Sequence, residues 1–293
     1  MIRIGTRSSA LALAQANAVG SWLAPLDAHE IVVITTAGDR GEVGDKARWT
    51  SELERALLAR EIDVAVHSAK DVPGQLAEGT TVAAVPGRAG VLDAICGFAE
   101  VASIPPAARV GTSSIRRTAQ LRALRDDLTF VTVRGNVDTR LRKLAAGEVD
   151  ALVLAQAGLE RLGREREIGG YLDELVPAPG QGALLVQARA DDAATLAKLA
   201  TINDETAERC VMAERALASS LKATCNTPLG ALGVPASGMD VMLRAWVGLP
   251  DGSHWIADEL TGQFDEVGGH LAERMIAAGA RELLQQAEEL AAR

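Results

Sequence analysis

The residues of this chain that are best suited to bind a ligand are arginines concentrated in one segment. From Arg109 to Lys143 there are nine basic and three acidic residues, a local charge of +6, whereas the whole chain carries -9 and the rest therefore -15. A guanidinium grips a carboxylate or phosphate through two hydrogen bonds, and strand-to-helix turns already favour anions. The segment therefore predicts a cleft for a polyanionic small molecule. The arginines at such turns or in first helical turns are Arg116, Arg117, Arg134 and Arg140. A solvated basic helix face is the interpretation for Arg122, Arg125 and Arg142.

A second group of candidate residues follows a predicted strand at 63–67. Lys70 and Asp71 come directly after it, in the stretch His67-Ser68-Ala69-Lys70-Asp71-Val72-Pro73. A carboxylate at the end of a strand is placed to act as a general acid or base, or to stabilise a cationic intermediate. A surface ion pair before a turn proline explains the same pattern, and these residues alone leave both interpretations open.

The three cysteines differ in their sequence context. Cys96 and Cys210 lie in apolar patterns that predict core packing, whereas Cys225 lies in a loop signal at 224–228. A loop thiol can act as a nucleophile in its thiolate form, and an inert surface thiol is the alternative. Three widely spaced cysteines form no disulfide framework, which favours a reducing cytosol. The four histidines share no ligand spacing, so no metal site is predicted.

Alternating strands and helices must position these side chains. Strands are predicted at 2–4, 30–35, 63–67 and 81–85. One helix is predicted at 10–23, with Ser8 or Ser9 as its cap. A second helix is predicted to begin with a capping box at 51–54 and to end near residue 60. This order predicts a mainly parallel sheet with helices on both faces. Two strings recur in order, Ile4–Ser9 in Val110–Ser114 and Glu61–Val66 in Glu148–Val153. They predict two similar α/β domains, with chance similarity of short apolar strings as the alternative.

The chain after residue 188 has a different pattern. A helix at 206–221, capped by Asn203 or Asp204, precedes strands at 241–247 and 255–260 and a final helix at 267–290. The predicted fold is therefore α/β, with two similar periplasmic-binding-protein-like domains around a cleft and a small α+β third domain. The predicted boundaries are 1–86 with 183–201 for the first domain, 87–182 for the second and 202–293 for the third, with a linker at 177–182.

Composition excludes several classes of protein. Among 293 residues, 48% are hydrophobic and 24% charged, which excludes intrinsic disorder. Aromatic residues make up 3%, so a stacking platform for single-stranded nucleic acid is not expected, and the acidic balance argues against a coat on nucleic acid or an anionic membrane. No apolar run approaches the ~20 residues of a membrane span. We expect a soluble cytoplasmic protein without nucleic-acid or membrane partners.

Seven strings in order resemble the porphobilinogen deaminase (hydroxymethylbilane synthase) family. The resemblance runs from the first strand into the third domain, and one such string alone would be weak. The strings are Thr6-Arg7-Ser8-Ser9-Ala10-Leu11-Ala12-Leu13-Ala14-Gln15, His67–Pro73, Gly111-Thr112-Ser113-Ser114-Ile115-Arg116-Arg117, Arg134-Gly135-Asn136-Val137-Asp138-Thr139-Arg140-Leu141, Ala157–Gly163, Pro177–Ala183 and Cys225-Asn226-Thr227-Pro228-Leu229-Gly230.

The resemblance implies a monomeric transferase of tetrapyrrole and haem biosynthesis. Such an enzyme carries a dipyrromethane cofactor on a cysteine thioether, here Cys225. It joins four porphobilinogens head to tail with loss of ammonia, and hydrolysis then frees hydroxymethylbilane. Each pyrrole carries an acetate and a propionate, which explains an arginine-rich cleft in an acidic protein.

The resemblance also implies a role for each matched residue. Asp71 is the catalytic carboxylate that assists amine loss and stabilises positive charge on the pyrrole nitrogens. The implied cofactor-binding residues, besides Cys225, are Ser68, Lys70, Thr112, Ser114, Arg116 and Arg117. The implied residues for substrate and the lengthening chain are Arg7, Ser9, Arg134, Arg140 and Arg161.

Two stretches depart from the family pattern. The loop at 39–49 is shorter than the family's mobile lid, and only Lys46 and Trp49, in place of a phenylalanine, match its Gly-Gly-Lys-Gly-x-Phe ending. Lid closure and control of chain length therefore do not carry over. Ala223 and Thr224 replace the Gly-Gly before the cysteine, which predicts a stiffer cofactor loop.

Three alternative functions stay open on the sequence. The first is a homologue with a shortened lid that binds oligopyrroles but has weak or incomplete activity. The second is a two-lobed small-anion binding protein, suggested by the paired α/β domains alone and disfavoured by the third domain and its loop cysteine. An arginine-rich RNA binder is a distant third.

Overall fold

The first sheet is built around two parallel neighbours, β1 (Ile2–Thr6) and β3 (Val64–Ser68). The protein is described by a computed structural model that covers residues 1–39, 49–224 and 227–291. The sheet is completed by β2 (His29–Val33), β4 (Thr80–Ala84) and β10 (Leu184–Arg189), in the order β2-β1-β3-β10-β4. β2 runs parallel to β1, whereas β10 pairs antiparallel with both β3 and β4.

The second sheet repeats this plan with later strands. β6 (Arg109–Gly111) lies between β7 (Thr129–Val131) and β8 (Ala151–Ala155), parallel to both. β5 (Asp93–Cys96) pairs antiparallel with β8 and with β9 (Gly170–Leu172), which gives the order β7-β6-β8-β5-β9. Ile4 faces Val64 across the first central pair of strands, and Val110 faces Ala151 at the equivalent place in the second. The predicted pair of similar α/β folds is therefore confirmed.

Helices cover both faces of each sheet, as the alternation of strand side chains requires. In the first, α1 (Ala10–Leu23) packs Ala16, Val19 and Leu23 on one face, and α2 (Ser51–Leu58) packs Leu53 and Leu57 on the other. In the second, α3 (Ile115–Leu124) and α4 (Val137–Ala145) occupy the corresponding positions. α5 (Gln156–Glu160) follows β8, and α6 (Ala193–Leu199) follows β10.

A three-stranded antiparallel sheet follows α7 (Glu205–Ser220). Its strands are β11 (Leu229–Pro235), β12 (Asp240–Gly248) and β13 (Trp255–Gln263), with β12 in the centre. α8 (Val267–Ala277) and α9 (Ala280–Ala291) pack against this sheet. The predicted small α+β region is confirmed, and Asp204 caps α7 by accepting hydrogen bonds from the Thr206 and Ala207 amides.

Four of the five strands described in each sheet run in the same direction, as the predicted mainly parallel sheet requires, and β10 or β5 runs against its two neighbours. Two other details of the predicted secondary structure are wrong. The capping box at 51–54 does not form: Thr50 precedes α2 without a capping hydrogen bond, and Glu54 binds Ala77 N and Gln187 instead. The final helix is two helices, separated at Gly279, whose φ of +98° ends α8.

Contacts divide the chain into two compact units. The first contains residues 1–89 and 183–211, and the second contains 90–182 and 212–293. The three-domain boundaries expected from the sequence stay a prediction. Within the described residues, no helix is both long enough and apolar enough to cross a bilayer.

Candidate active site

In the first unit, two candidate stretches lie at the same edge of the sheet. Arg7 and Ser9 follow β1, and Lys70 and Asp71 follow β3, its parallel neighbour. The carboxyl ends of parallel neighbours meet at one edge, which is where open α/β sheets place ligands. Ser9 caps α1 by accepting a hydrogen bond from the Ala12 amide at 3.2 Å, and this fixes the turn after β1.

The turn after β3 presents Asp71 with its side chain half-buried. Residues Ala69–Asp71 form one turn of 3-10 helix, anchored by a hydrogen bond from Ala69 N to Ala183 O. Within the described chain, the Asp71 carboxylate makes no hydrogen bond or ion pair. Ser68 exchanges hydrogen bonds with the Gln15 side-chain amide, the closer at 2.8 Å. Asp71 is thus held by the backbone and leaves its oxygens available to a ligand.

A buried polar chain lies beneath this turn. His67 Nε2 lies 3.1 Å from Gln187 Oε1, and the Gln187 amide nitrogen donates to Glu54 Oε1 at 2.9 Å and Thr80 Oγ1 at 2.7 Å. Because the Gln187 nitrogen is the donor to both acceptors, its oxygen must accept, and His67 Nε2 carries the proton. Burial lowers the pKa of His67 to about 4, so this histidine is neutral near pH 7.

Arg7 is held on two sides. Its Nε and Nη2 donate to Asp39 Oδ1 at 3.1 and 2.5 Å, and its guanidinium carbon lies 4.0 Å from the centroid of the Trp49 ring. Burial raises the pKa of Asp39, but hydrogen bonds from Arg7 and Thr36 outweigh it and hold that pKa below its usual range. Of the short loop at 39–49, only Asp39 and Trp49 lie within the described residues, so Lys46 lies outside them.

In the second unit, Arg116 and Arg117 share one buried carboxylate. Arg116 Nη1 donates to Asp93 Oδ2 at 2.7 Å, and Arg117 Nε donates to Oδ1 at 2.9 Å. The guanidiniums also donate to the carbonyls of Val176 and Val153, each at 2.9 Å. All three charged side chains are almost completely buried. The arginines lie in the first turn of α3 as predicted, but their forks turn into the protein.

This cluster carries more positive than negative charge. Burial raises the pKa of Asp93, but the two guanidiniums outweigh it and bring that pKa far below its usual range. Burial lowers the pKa of Arg117, with Asp93 opposing the shift. Among the described residues, Asp93 is the carboxylate that pairs with both arginines, and Arg116 Nε is buried without a hydrogen-bond acceptor. Two cations and one anion leave a buried net charge of +1.

The other predicted arginines of this unit differ in exposure. Arg134 is exposed, and the nearby Arg140 Nε donates to Gly135 O at 2.8 Å. Gly135 has a φ of +113°, which suits glycine at this turn before α4. Arg161 is half-buried and donates to Gly182 O at 2.7 Å, and burial lowers its pKa.

The remaining two predicted polar residues shape the turn before α3. Ser114 caps α3 by accepting from Arg117 N at 3.4 Å, and the buried Thr112 hydroxyl accepts from Ser114 N at 3.2 Å. Both hydroxyls therefore stabilise the backbone at the start of α3, in addition to their proposed contact with a ligand.

Cys225 lies outside the described residues, but both flanks of its loop are described. The hydroxyls of Thr224 and Thr227 donate to Glu288 Oε1 at 3.0 and 3.1 Å. Glu288 lies on α9, so the loop ends are tied to a helix, and Thr224 does this where the family has glycine. Cys96 and Cys210 are buried as predicted, and burial raises the pKa of Cys96 to about 11.

Sequence reasoning missed the carboxylates that support these sites. Asp93 is a single acid within the apolar run at 91–96, and a charge in a buried strand needs a cationic partner, so this signal was available. Glu214 is fully buried and accepts from the amides of Gly180 and Gly233 at 2.6 and 2.7 Å. No local pattern pairs Asp39 with Arg7, because the two are 32 residues apart.

The chain matches known proteins over nearly its whole length. The family model described as porphobilinogen deaminase, dipyromethane cofactor binding domain, matches residues 2–197, and the model of the C-terminal domain matches 208–277. Curated relatives named porphobilinogen deaminase include those of Rubrobacter xylanophilus, 46% identical over 96% of this chain and 95% of its own, and Roseiflexus sp. strain RS-1, 44% identical over 96% and 97%. The Deinococcus radiodurans relative is 40% identical over 98% and 99%.

Solved structures give more distant matches. An ABC transporter from Parabacteroides distasonis is 12% identical, with a TM-score of 0.45 over 76% of this chain and 74% of its own. A periplasmic substrate-binding protein of an ABC transporter from Coxiella burnetii is 13% identical, with a TM-score of 0.42 over 69% and 91%. The full-length matches settle the relationship: this chain belongs to the porphobilinogen deaminase family.

Proposed function

We propose that this chain condenses four porphobilinogens head to tail into hydroxymethylbilane, with ammonia released at each step, and that the residues described above perform this reaction. The observation that carries the assignment of the site is the buried pair Arg116 and Arg117 on one carboxylate. Two buried guanidiniums with one anion leave a net positive charge behind the turn before α3, and its field favours a ligand that carries several carboxylates.

The residues present fit a dipyrromethane with its acetate and propionate groups. Ser68, Lys70, Thr112, Ser114, Arg116 and Arg117 would hold it, and Cys225 would carry it through a thioether. When bound, the dipyrromethane supplies the primer to which the first substrate unit is joined. Asp93 holds the two guanidiniums of α3 in place through ion pairs, so the positive field needs no rearrangement during catalysis.

Asp71 is the proposed catalytic carboxylate. Its turn is fixed by a backbone hydrogen bond, and its carboxylate oxygens make no hydrogen bond or ion pair with the described residues. A fixed negative charge lowers the barrier for steps that develop positive charge on a pyrrole nitrogen or a leaving amine. The neutral His67 four residues earlier adds no positive charge that would oppose this.

Five side chains are proposed to bind the carboxylates of the incoming substrate and of the lengthening pyrrole chain. Arg134 and Arg140 lie around a glycine turn, Arg161 ends α5, and Arg7 and Ser9 follow β1. Among these four arginines Arg134 is exposed, whereas Arg7, Arg140 and Arg161 are half-buried. Arg134 is therefore the proposed contact that a substrate carboxylate reaches most easily.

An intact-mass measurement tests the attachment site. We expect wild-type protein from a haem-making host to exceed its sequence mass by one dipyrromethane, and Cys225→Ser to show the bare mass. Cys96→Ala is the matched control and should keep the added mass, since its thiol is buried with a pKa of about 11. Wild-type protein with the bare mass would refute the attachment.

A second measurement tests Asp71. Asp71→Ala should retain the added mass, or early intermediates, while turnover falls by at least about 100-fold. Glu78→Gln changes an exposed carboxylate of the same unit and should leave turnover near the wild-type rate. Near-normal formation of bilane by Asp71→Ala would refute the assigned role. Timed measurement of product length also separates a complete enzyme from a homologue that stops early.

We further propose that the protein acts as a cytoplasmic monomer without nucleic acid. The net charge of -9 and the buried thiols Cys96 and Cys210 support this assignment. Sedimentation at several concentrations, with and without added RNA, tests it. A concentration-dependent mass or a shift with RNA would contradict it.

A further inference from the structure

We propose that Trp49 is a positioning residue for Arg7, and that Trp49 and Asp39 together hold the Arg7 guanidinium ready for one carboxylate of porphobilinogen. This proposal rests on the role proposed above for Arg7. It assigns a function to a tryptophan that occupies the position of a phenylalanine in the family's Gly-Gly-Lys-Gly-x-Phe pattern.

Asp39 fixes one edge of the guanidinium. Arg7 Nε and Nη2 both donate to this carboxylate, in the two-pronged arrangement that sets the plane of an arginine fork. Asp39 is in turn held by Thr36, whose amide and hydroxyl donate to Oδ2 at 3.1 and 2.8 Å. The carboxylate that holds Arg7 is therefore itself anchored to the backbone.

Trp49 fixes the face of the same guanidinium. The Arg7 guanidinium carbon lies 4.0 Å from the ring centroid, well inside the ~6 Å range of a cation–π contact. The indole also packs closely against Gly38, where an added Cβ would overlap the ring. A side chain at position 38 would therefore displace the indole, so glycine there permits the contact between Trp49 and Arg7.

Among the residues that the structure describes, one edge of the Arg7 guanidinium is left for a ligand. Within the described residues, Nη1 of Arg7 makes no hydrogen bond, and the side chain retains 23% of its exposure. With one edge and one face already fixed, binding a carboxylate at the remaining edge costs little additional side-chain entropy. Tryptophan is the strongest cation–π partner among the aromatic residues, so it does this better than phenylalanine.

The test measures addition of the first substrate unit by intact mass, as a function of porphobilinogen concentration. Trp49→Leu should raise the half-saturating concentration about two- to five-fold, with the maximal rate changed by less than about two-fold. Trp49→Phe should give a smaller rise and keeps the test informative if the leucine variant folds poorly. Trp22→Leu is the matched control, because Trp22 is an exposed tryptophan on α1, and it should change neither quantity.

A double-mutant cycle shows whether Trp49 acts through Arg7. Arg7→Gln should raise the half-saturating concentration more than about ten-fold, and Trp49→Leu should add nothing in that background. If Arg7→Gln has its effect but Trp49→Leu has none, or acts equally in both backgrounds, the positioning role is wrong. If Arg7→Gln leaves substrate saturation unchanged, the proposed role of Arg7 itself is wrong.

Discussion

The two five-stranded sheets are nearly identical at the amino ends of their central strands. Arg3 grips Asp63 with its backbone amide, Nε and Nη2, at 3.0, 3.1 and 2.8 Å. Arg109 grips Asp150 with the same three groups, at 2.8, 3.1 and 2.8 Å. The two forks tie β1 to β3 and β6 to β8, and each fixes the register of a central parallel pair.

At the carboxyl ends the two sheets differ. After β1, the half-buried Arg7 pairs with Asp39, and one edge of its guanidinium has no partner within residues 1–39, 49–224 and 227–291. After β6, the almost fully buried pair Arg116 and Arg117 shares Asp93. The same scaffold therefore carries an open cation in one unit and a closed, charge-rich cluster in the other.

This difference matches two kinds of ligand. A substrate that enters and moves on at each addition needs a cation that it can reach and leave, which suits the Arg7 site. A resident cofactor is bound once, so its charge partners can be buried and their cost of desolvation is met during folding. On the proposed assignment, two sheets with the same strand order but different turns at their carboxyl ends give one protein both kinds of site.

The largest predicted effect contrasts the two carboxylates directly. Asp93→Asn leaves two buried guanidiniums without an anion, so we expect the free energy of unfolding to fall by about 3–5 kcal/mol. Asp39→Asn affects a half-buried pair and should cost no more than about 1 kcal/mol. Urea unfolding of both variants, each made in the Cys225→Ser background to remove the cofactor's contribution, measures the two losses.

Asp93→Glu is the control that separates the loss of negative charge from a change in side-chain shape. It keeps the anion, so it should recover part of the stability that the asparagine variant loses. Equal losses for Asp93→Asn and Asp39→Asn would show that burial does not distinguish the two carboxylates.

A second prediction makes one strand of the first sheet resemble its counterpart. When Val64 of the first sheet is aligned with Ala151 of the second, His67 and Leu154 occupy equivalent positions in their strands. The pKa of His67 is lowered to about 4 by burial, so its unfolded form binds a proton more readily than its folded form below pH 6.5. The contribution of neutral His67 to the free energy of unfolding is thus fully present above pH 6.5 and falls as the pH decreases toward 4.

His67→Leu should remove this part of the acid sensitivity. Its unfolding free energy should depend less steeply on pH between 6.5 and 4, by at most about 3 kcal/mol over that range. At pH 7 it should be less stable than wild type, because Gln187 loses its partner. Unfolding curves at half-unit pH intervals test this, and a wild-type slope in the variant would show that His67 is not the group that titrates.

The repeats in the sequence predicted the shared part of the two sheets well. The strings at 61–66 and 148–153 each contain the aspartate of a fork, and their alignment gives the register seen in both central pairs. Helix α1 spans 10–23 as predicted, with Ser9 as its cap. These features depend on local spacing, which a sequence displays.

The parts that were missed depend on residues far apart in the chain. The return of residues 183–201 to the first domain was predicted, but the antiparallel direction of β10 was missed. That direction depends on where the chain returns about 100 residues after β4, which no local pattern records. Glu54 fitted a capping box, but its carboxylate binds Ala77 N and Gln187, 133 residues away. Asp39 was missed as the partner of Arg7 for the same reason, whereas Asp93 could have been recognised as an acid in an apolar run that needs a cationic partner.

The smallest predicted effect tests how similar the two forks are. Hydrogen bonds from Arg3 outweigh burial and lower the pKa of Asp63 to about 2, and hydrogen bonds from Arg109 do the same for Asp150. Each aspartate therefore stabilises the fold above its ordinary pKa near 4 and loses this effect as the pH falls through about 2.

The surroundings of the forks predict an unequal response to mutation. Asp63 is less exposed than Asp150, 17% against 39%, and it also pairs with the buried Arg189 at 3.4 Å. Asp63→Asn should therefore lower Tm at pH 7 more than Asp150→Asn, and both differences from wild type should shrink as the pH approaches 2. A larger loss of Tm for Asp150→Asn would mean that solvent screening does not make the Arg109–Asp150 pair the weaker one. The buried Arg189 would then add nothing to the stability of the Arg3–Asp63 pair.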